Sequence, residues 1–185
     1  MREALEDENL LGTVMPGPSW AAWRALLIAA MGEALTDDER EHFRRLTGRQ
    51  REPLSRVEEL WCVIGRRGGK TRAAAVLACY FAALVDHADK LAVGERGVIP
   101  LLAVSERQAT KAFGYAAGVF DTVPLLTSLV ESRTADTLRL RNGIDIMVRP
   151  ASWRTARGDT AVMAIGDEAA FWRNDEGSRT PTAKS

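Results

Sequence analysis

Residues 65–71, which read GRRGGKT, have the composition of a phosphate-binding loop. Glycines let backbone N–H groups approach phosphate oxygens, and the amino end of a following helix adds a partial positive charge. Lys70 would reach the terminal phosphates of a nucleotide, and the hydroxyl of Thr71 would hold Mg2+. The stretch therefore predicts a P-loop for ATP and Mg2+.

The loop departs from the usual Walker A pattern at its start. Counting back from Gly69, Ile64 occupies the position of the first glycine, and Gly65 comes one residue late. Either the loop is one residue tighter, or Ile64 ends a strand and only the second half of the cradle is standard. The alternative without function is an arginine-glycine turn between a buried strand and a buried helix.

Asp167 and Glu168 follow the apolar run 161–166, which is typical of a strand buried on both faces. Ligands of open parallel sheets bind at the carboxyl ends of the strands. A P-loop ATPase needs one carboxylate for magnesium and another to orient and deprotonate water. We assign these roles to Asp167 and Glu168 respectively. The alternative is a solvated acidic turn after a core strand.

The surrounding pattern predicts the elements that position these residues. The apolar run 61–64 would be a strand, 71–85 a buried helix, and 98–104 a strand followed by another helix. Residues 137–149 alternate around Asn142-Gly143, which predicts a hairpin with a primed turn. This alternation indicates a three-layer α/β domain with a RecA-like P-loop NTPase (ASCE) core and a mainly parallel sheet, incomplete at one edge.

The amino-terminal part, residues 1–52, is expected to be a loose segment and a helical lid before the core domain of residues 53–185. Residues 1–17 are acidic and then rich in Pro and Gly, and residues 20–35 have helical spacing. Residues 36–39 form a capping box for a second helix that Gly48 would close. Trp20 and Trp23 fit core packing better than an aromatic binding patch. The polar tail 174–185 is expected to fray.

Composition limits the function. The chain has 185 residues and zero formal net charge, which argues against a strong autonomous DNA binder, and its arginine clusters at 44–45, 49–51 and 139–149 fit solvated faces. Cys62 and Cys79 lie in apolar runs and are expected to be core residues without a disulfide. The sequence lacks zinc-ligand spacing, a signal peptide and an uncharged span long enough for a bilayer.

Several motifs resemble the large terminase subunit of tailed bacteriophages, the ATPase that pumps DNA into capsids. GRRGGKT is similar to that family's arginine-bearing P-loop, which is poor in the first glycine. Residues 156–161, ARGDTA, leading to 167–172, DEAAFW, resemble its arginine-glycine loop, Walker B strand and trailing aromatic residues. LTGRQ at 46–50 looks like the segment before the P-loop, and the resemblance aligns Gln50 with an adenine-reading glutamine.

The resemblance implies that ATP hydrolysis moves double-stranded phage DNA through a portal protein in the host cytoplasm. The large subunit would assemble as a ring, with the small terminase subunit as a further partner. Arg66 or Arg67 would serve as an arginine finger, beside the catalytic residues Lys70 and Glu168. The implied ATP-binding residues are Gly65, Arg66, Arg67, Gly68, Gly69, Lys70, Thr71 and Gln50, and the implied Mg2+ ligands are Thr71 and Asp167.

The sequence also departs from the family. Terminase large subunits are several times longer, with a coupling motif after Walker B and a metal-dependent nuclease domain folded like RNase H. This sequence reaches Ser185 before either. We therefore expect an amino-terminal ATPase part, slow or inactive by itself, without nuclease activity. The alternatives are another P-loop DNA translocase of helicase-like type, or a remnant that binds nucleotide without turnover.

Overall fold

The computed structural model describes residues 1–103, 105–150, 158–169 and 172. The expected arginine at 157 of the arginine-glycine loop, Phe171 and the tail 174–185 lie outside these ranges. The helices of the described part are α1 (Arg2–Glu6), α2 (Ala21–Ala30), α3 (Asp37–Thr47), α4 (Lys70–Leu84), α5 (Glu106–Thr122) and α6 (Pro124–Thr127). Its strands are β1 (Gly97–Ala103), β2 (Val130–Arg133), β3 (Thr137–Leu140), β4 (Ile144–Pro150), β5 (Thr160–Ala161) and β6 (Ile165–Gly166).

The strands form one open, mixed sheet. Its order is β2-β3-β4-β1, and the other side of β1 pairs with both β5 and β6. β1 is parallel to β4, β5 and β6, whereas β3 is antiparallel to β2 and β4. The α/β class expected from the sequence is confirmed at this level.

Helices α4 and α5 pack against each other and cover one face of the sheet. α4 is apolar nearly all round, as expected, and buries eight residues including Val76 and Phe81. Phe120 of α5 and Ile99 and Leu101 of β1 are almost inaccessible to solvent. This core fixes the positions at which α4 and α5 begin, close to the carboxyl end of β1.

The expected acidic strand is present alongside β1, but it is not continuous. The N–H of Val162 donates to the carbonyl of Val98 (3.0 Å), and that of Asp167 donates to the carbonyl of Leu102 (2.8 Å). Five residue steps on one strand thus match four on the other, so one extra residue separates β5 from β6. Ala164 is exposed and lies in the interruption between β5 and β6, which corrects the expectation of a continuous strand buried on both faces.

The amino-terminal residues are packed, which corrects the expected loose segment at 1–17. Leu11 and Met15 are fully buried in the core, and the α-ammonium group of Met1 is 2.6 Å from a carboxylate oxygen of Glu33. The apolar residues of this acidic segment therefore pack on the helices rather than remaining in solvent. Pro18–Trp20 forms a 3-10 turn that leads into α2.

Helices α2 and α3 match the predicted pair with one difference in length. α2 ends at Ala30, short of the predicted residue 35, and Gly32 has a φ of +74°. A side chain at Gly32 would meet the backbone of Ser55 at 2.3 Å, so the chain turns there with a glycine. The capping box of α3 at Thr36 and Glu39 and the left-handed Gly48 cap are both present, as predicted.

The predicted strand at 61–64 is absent, because these residues pair with no strand in the described part of the chain. Trp61 is 78% exposed and Val63 is fully exposed. Cys62 is also exposed, which corrects its expected place in the core, whereas Cys79 is buried as expected and both thiols are free. An extended segment becomes a strand only when a neighbour accepts its backbone hydrogen bonds.

The predicted hairpin at Asn142-Gly143 joins β3 to β4. Its loop has three residues, 141–143, and the positive φ of +85° occurs at Gly143 but not at Asn142. The predicted primed turn, which needs positive φ at the first central residue or at both, is therefore wrong. Within the described ranges, no helix is long and apolar enough to cross a membrane.

Candidate functional site

The glycine-rich loop makes a tight turn directly before α4. The N–H of Gly68 donates to the carbonyl of Gly65 at 3.3 Å, and Gly69 reaches the helix with a φ of +80°. Ile64 fills the space beside Gly68, where an added Cβ would lie 2.3 Å from its side chain. Of the alternatives for the loop, the structure thus has the turn starting at Gly65, with no strand ending at Ile64.

The amino end of α4 is open toward this loop. Gly69 is the N-cap residue and supplies no side-chain acceptor for the first-turn N–H groups. These donors and the positive end of the helix dipole favour an anion at this place. Gly65, Arg66, Arg67 and Gly68 are exposed around it.

Four predicted site residues from two distant parts of the sequence meet beside the loop. The Thr71 hydroxyl donates to Oδ2 of Asp167 at 3.2 Å. Nζ of Lys70 lies 3.8 Å from Oδ1 of Asp167 and 3.5 Å from Oε1 of Glu168. The structure therefore brings together the lysine and hydroxyl of the loop and both carboxylates of the acidic pair.

The backbone of the acidic pair is held in an uncommon conformation. Glu168 has a φ of +55°, and Arg67 is the one other non-glycine residue with positive φ in the described chain. This conformation costs on the order of 1 kcal/mol for a residue with a Cβ. The indole of Trp172 donates to the carbonyl of Asp167 at 3.2 Å and packs over Gly166, so the surroundings support this turn.

Gln108 contacts the acidic pair from the first turn of α5. Its Nε2 donates to Oε2 of Glu168 at 2.5 Å, and its Oε1 accepts from the Ser105 hydroxyl at 3.2 Å. Ser105 is the N-cap of α5 and also accepts from the N–H of Gln108. Gln108 is not among the site residues predicted from the sequence, although its position just after β1 places it at the same sheet edge as Asp167 and Glu168.

Two tryptophans connect the amino-terminal helices to the loop. The indole of Trp23 donates to the carbonyl of Gly68 at 2.8 Å. Trp20 packs on Gly69, where an added Cβ would be 2.9 Å from the ring, and Arg72 lies over the same ring at 5.1 Å. Both tryptophans pack against the core, as preferred from the sequence, and they also contact the glycine-rich loop.

Three further candidates are not joined to this cluster. Arg66 and Arg67 are exposed and form no ion pair with any described residue. Gln50 is exposed, and its carbonyl accepts from Nε of Arg44. No hydrogen bond joins Gln50 to the loop within the described chain, and its contact with adenine stays a prediction.

The donor set at Thr71 and Asp167 fits Mg2+ bound with a nucleotide. Mg2+ prefers oxygen ligands, and in nucleotide sites it takes one or two from the protein and the rest from phosphates and water. A hydroxyl and a carboxylate oxygen 3.2 Å apart supply two such ligands. These two side chains would hold the ion next to the loop.

No protein-family model and no curated protein matches this chain. A functional assignment therefore depends on the side chains that converge at the loop. The motifs that resemble terminases add a more specific hypothesis to that chemistry.

Proposed function

We propose that this chain binds Mg-ATP at the loop of residues 65–71 and hydrolyses it, as a RecA-like P-loop NTPase core of the three-layer type. One observation carries the proposal. Lys70 and Thr71 contact Asp167 and Glu168, although Thr71 and Asp167 are 96 residues apart in sequence. A solvated acidic turn or a plain arginine-glycine turn gives no reason for this convergence.

Each side chain has a role that suits its chemistry. The backbone N–H groups at the start of α4 and the ammonium group of Lys70 bind the phosphates. Thr71 and Asp167 hold Mg2+, which neutralises phosphate charge when it is bound. Glu168 orients the attacking water and accepts its proton, and Arg66 or Arg67 supplies positive charge to the transition state.

The charges of the free site suit an anion that arrives together with a divalent cation. Lys70 faces two carboxylates, with Asp167 at 3.8 Å and Glu168 at 3.5 Å. Phosphate oxygens compete for the ammonium group, and a divalent cation offsets the carboxylate that loses its partner. Nucleotide and Mg2+ are therefore expected to bind together rather than separately.

The motifs support a more specific role as the ATPase part of a phage terminase large subunit. In that role ATP hydrolysis drives double-stranded DNA through a portal ring in the host cytoplasm, with the small subunit as partner and with self-association as a ring. The tight, arginine-bearing loop and the acidic pair with its supporting Trp172 are the features that favour it. A helicase-like translocase would use the same core chemistry.

A second candidate is a nucleotide-binding chain without turnover. The specific observation in its favour is the segment 61–64, which leads into the loop without pairing with any described strand. Binding uses the loop and α4, which are in place, whereas hydrolysis requires a water held within a few tenths of an ångström.

Calorimetry with Mg-ATP tests the proposal. Lys70→Ala should weaken binding by about 2 to 3 kcal/mol, because it removes a charge-assisted contact to phosphate. Lys90→Ala, a change of the same type at an exposed residue outside the site, is the matched control and should bind like the wild type. Equal affinity for the wild type and Lys70→Ala would refute a phosphate cradle.

A further inference from the structure

The side chain of Glu168 is held from two sides in the described chain. Lys70 lies 3.5 Å from its Oε1, and the amide of Gln108 donates to its Oε2 at 2.5 Å. Phosphate oxygens would compete with Glu168 for the ammonium group of Lys70 and weaken this contact. Gln108 is then the remaining described side chain that fixes this carboxylate.

The amide of Gln108 has a defined orientation. A carboxylate can only accept hydrogen bonds, so the NH2 group must face Glu168 and the carbonyl oxygen must face the Ser105 hydroxyl. Ser105 in turn caps α5, whose start is fixed by the packing of α5 on the sheet. The chain of contacts runs from the sheet through Ser105 and Gln108 to Glu168.

We infer that Gln108 is a positioning residue for Glu168, which it holds by the Nε2–H···Oε2 hydrogen bond while nucleotide occupies the loop. The inference rests on the proposed function, because it assigns Glu168 the task of orienting water. A neutral donor suits this position, since a second carboxylate would repel Glu168 and an apolar side chain would leave Oε2 without a partner. Asn is one methylene shorter and would not reach Oε2 with Ser105 still bonded.

A comparison of binding with chemistry tests this role. Gln108→Leu removes the hydrogen bond at nearly constant volume, so the Kd for Mg-ATP should stay within about twofold while the single-turnover rate falls about tenfold or more. Gln108→Glu, which keeps the shape and adds repulsion, should lower that rate further. Thr110→Val, at an exposed position of the same helix, is the control and should retain both values.

NMR tests the contact without any need for turnover. The chain contains two glutamines, Gln50 and Gln108, so their side-chain NH2 signals can be assigned by one substitution. The signals of Gln108 should differ from those of the exposed Gln50 in the wild type. They should move toward the Gln50 values in Glu168→Ala, and they should stay displaced when Mg-ATP binds to the wild type.

The outcomes separate this inference from the proposed function. A wild-type rate in Gln108→Leu, with Glu168→Gln inactive, would overturn the positioning role, as would unchanged Gln108 signals in Glu168→Ala. If the wild type binds nucleotide without hydrolysing it, the hydrolase proposal fails, and the NMR comparison alone decides whether Gln108 holds Glu168. If Gln108→Leu does not fold, the rate of Gln108→Glu and the NMR signals decide between the two outcomes.

Discussion

The segments before and after the glycine-rich loop differ in how deeply they are buried. After the loop, α4 is buried along its length and its first residues, Lys70 and Thr71, meet the acidic pair. Before the loop, residues 60–63 are exposed and Trp61 and Val63 extend into solvent. Both flanks are apolar in sequence, so the difference comes from what lies next to them.

The contrast suggests which parts of the proposed nucleotide site depend on neighbouring strands. The convergence of Lys70, Thr71, Asp167 and Glu168 needs α4, β1 and the β6 edge, all of which are paired and packed. A strand at 61–64 needs a neighbour for its backbone groups, and β5 and β6 bond on one side only within the described residues. Nucleotide binding should therefore depend on α4, after the loop, and turnover should depend on both α4 and the segment before the loop.

The largest expected effects are at the acidic pair. Glu168→Gln should leave Mg-ATP binding intact and lower any hydrolysis by about a hundredfold or more, because the amide cannot accept the proton of water. Asp167→Asn should instead weaken the magnesium-dependent binding. Titration calorimetry with and without Mg2+, together with phosphate-release assays, checks both, and a reversal of the two phenotypes would overturn the assigned roles.

The segment 61–64, which pairs with no described strand, is expected to limit the rate of ATP hydrolysis. Phosphoryl transfer depends on positioning, so the chain alone should hydrolyse ATP more slowly than about 1 per second, the low end for working enzymes. We also expect it not to cut DNA. A faster rate in pure protein that disappears in Glu168→Gln would mean that α4 and the acidic pair suffice for catalysis without a strand at 61–64.

Trp23, which contacts the loop, and Trp61, which is exposed before it, can be compared by the same substitution. Trp23→Phe removes the bond to the Gly68 carbonyl and should weaken Mg-ATP binding by about 1 kcal/mol, since a net hydrogen bond contributes about this much. Trp61→Phe changes an exposed indole that bonds to Glu59 and should have no measurable effect on affinity. If the Trp61 variant binds ATP more weakly than the Trp23 variant, the exposed segment before the loop contributes more to binding than the Trp23 contact with Gly68.

Short-range sequence patterns predicted several of the elements around this site. The capping box at Thr36, the helix after the loop and the strand at β1 depend on short-range patterns, and the structure contains all three. The run at 61–64 was mispredicted as a strand because apolar composition does not reveal whether a partner strand exists. Gln108 and Trp23 were missed as site residues because their contacts span 60 and 45 residues. The position of Gln108 after β1 indicates the sheet edge but not the partner, and no local pattern indicates the contact of Trp23.

The Arg40–Glu52 ion pair, called the anchor here, lies before the loop and should have only a small effect on the stability of the fold. Arg40 donates to both carboxylate oxygens of Glu52, at 3.0 and 2.9 Å, and the N–H of Leu35 donates as well. These bonds, Arg40 first, lower the pKa of Glu52 from 4.5 to about 2. The anchor therefore stabilises the fold fully above pH 4.5 and loses its effect as the pH falls toward 2.

Thermal unfolding of Glu52→Gln measures this anchor. At pH 7 the variant should be less stable by about 1 kcal/mol or less, because the pair is near the surface. The difference should shrink as the pH falls below 4.5 and through 2, because Glu52 becomes protonated in the folded wild type around that pH. Asp38→Asn, an exposed change of the same charge outside the pair, serves as the control, and a difference that grows on acidification would contradict the anchor.

If the loop and the acidic pair form one Mg-nucleotide site, as we propose, a double-mutant cycle on Thr71→Val and Asp167→Asn should reveal it. If both side chains hold the same ion, each single variant weakens Mg-ATP binding and the double variant loses little more, with a coupling energy of about 1 kcal/mol or more. The coupling should vanish for ATP without Mg2+. Strictly additive losses, or no loss in either single variant, would contradict a shared site.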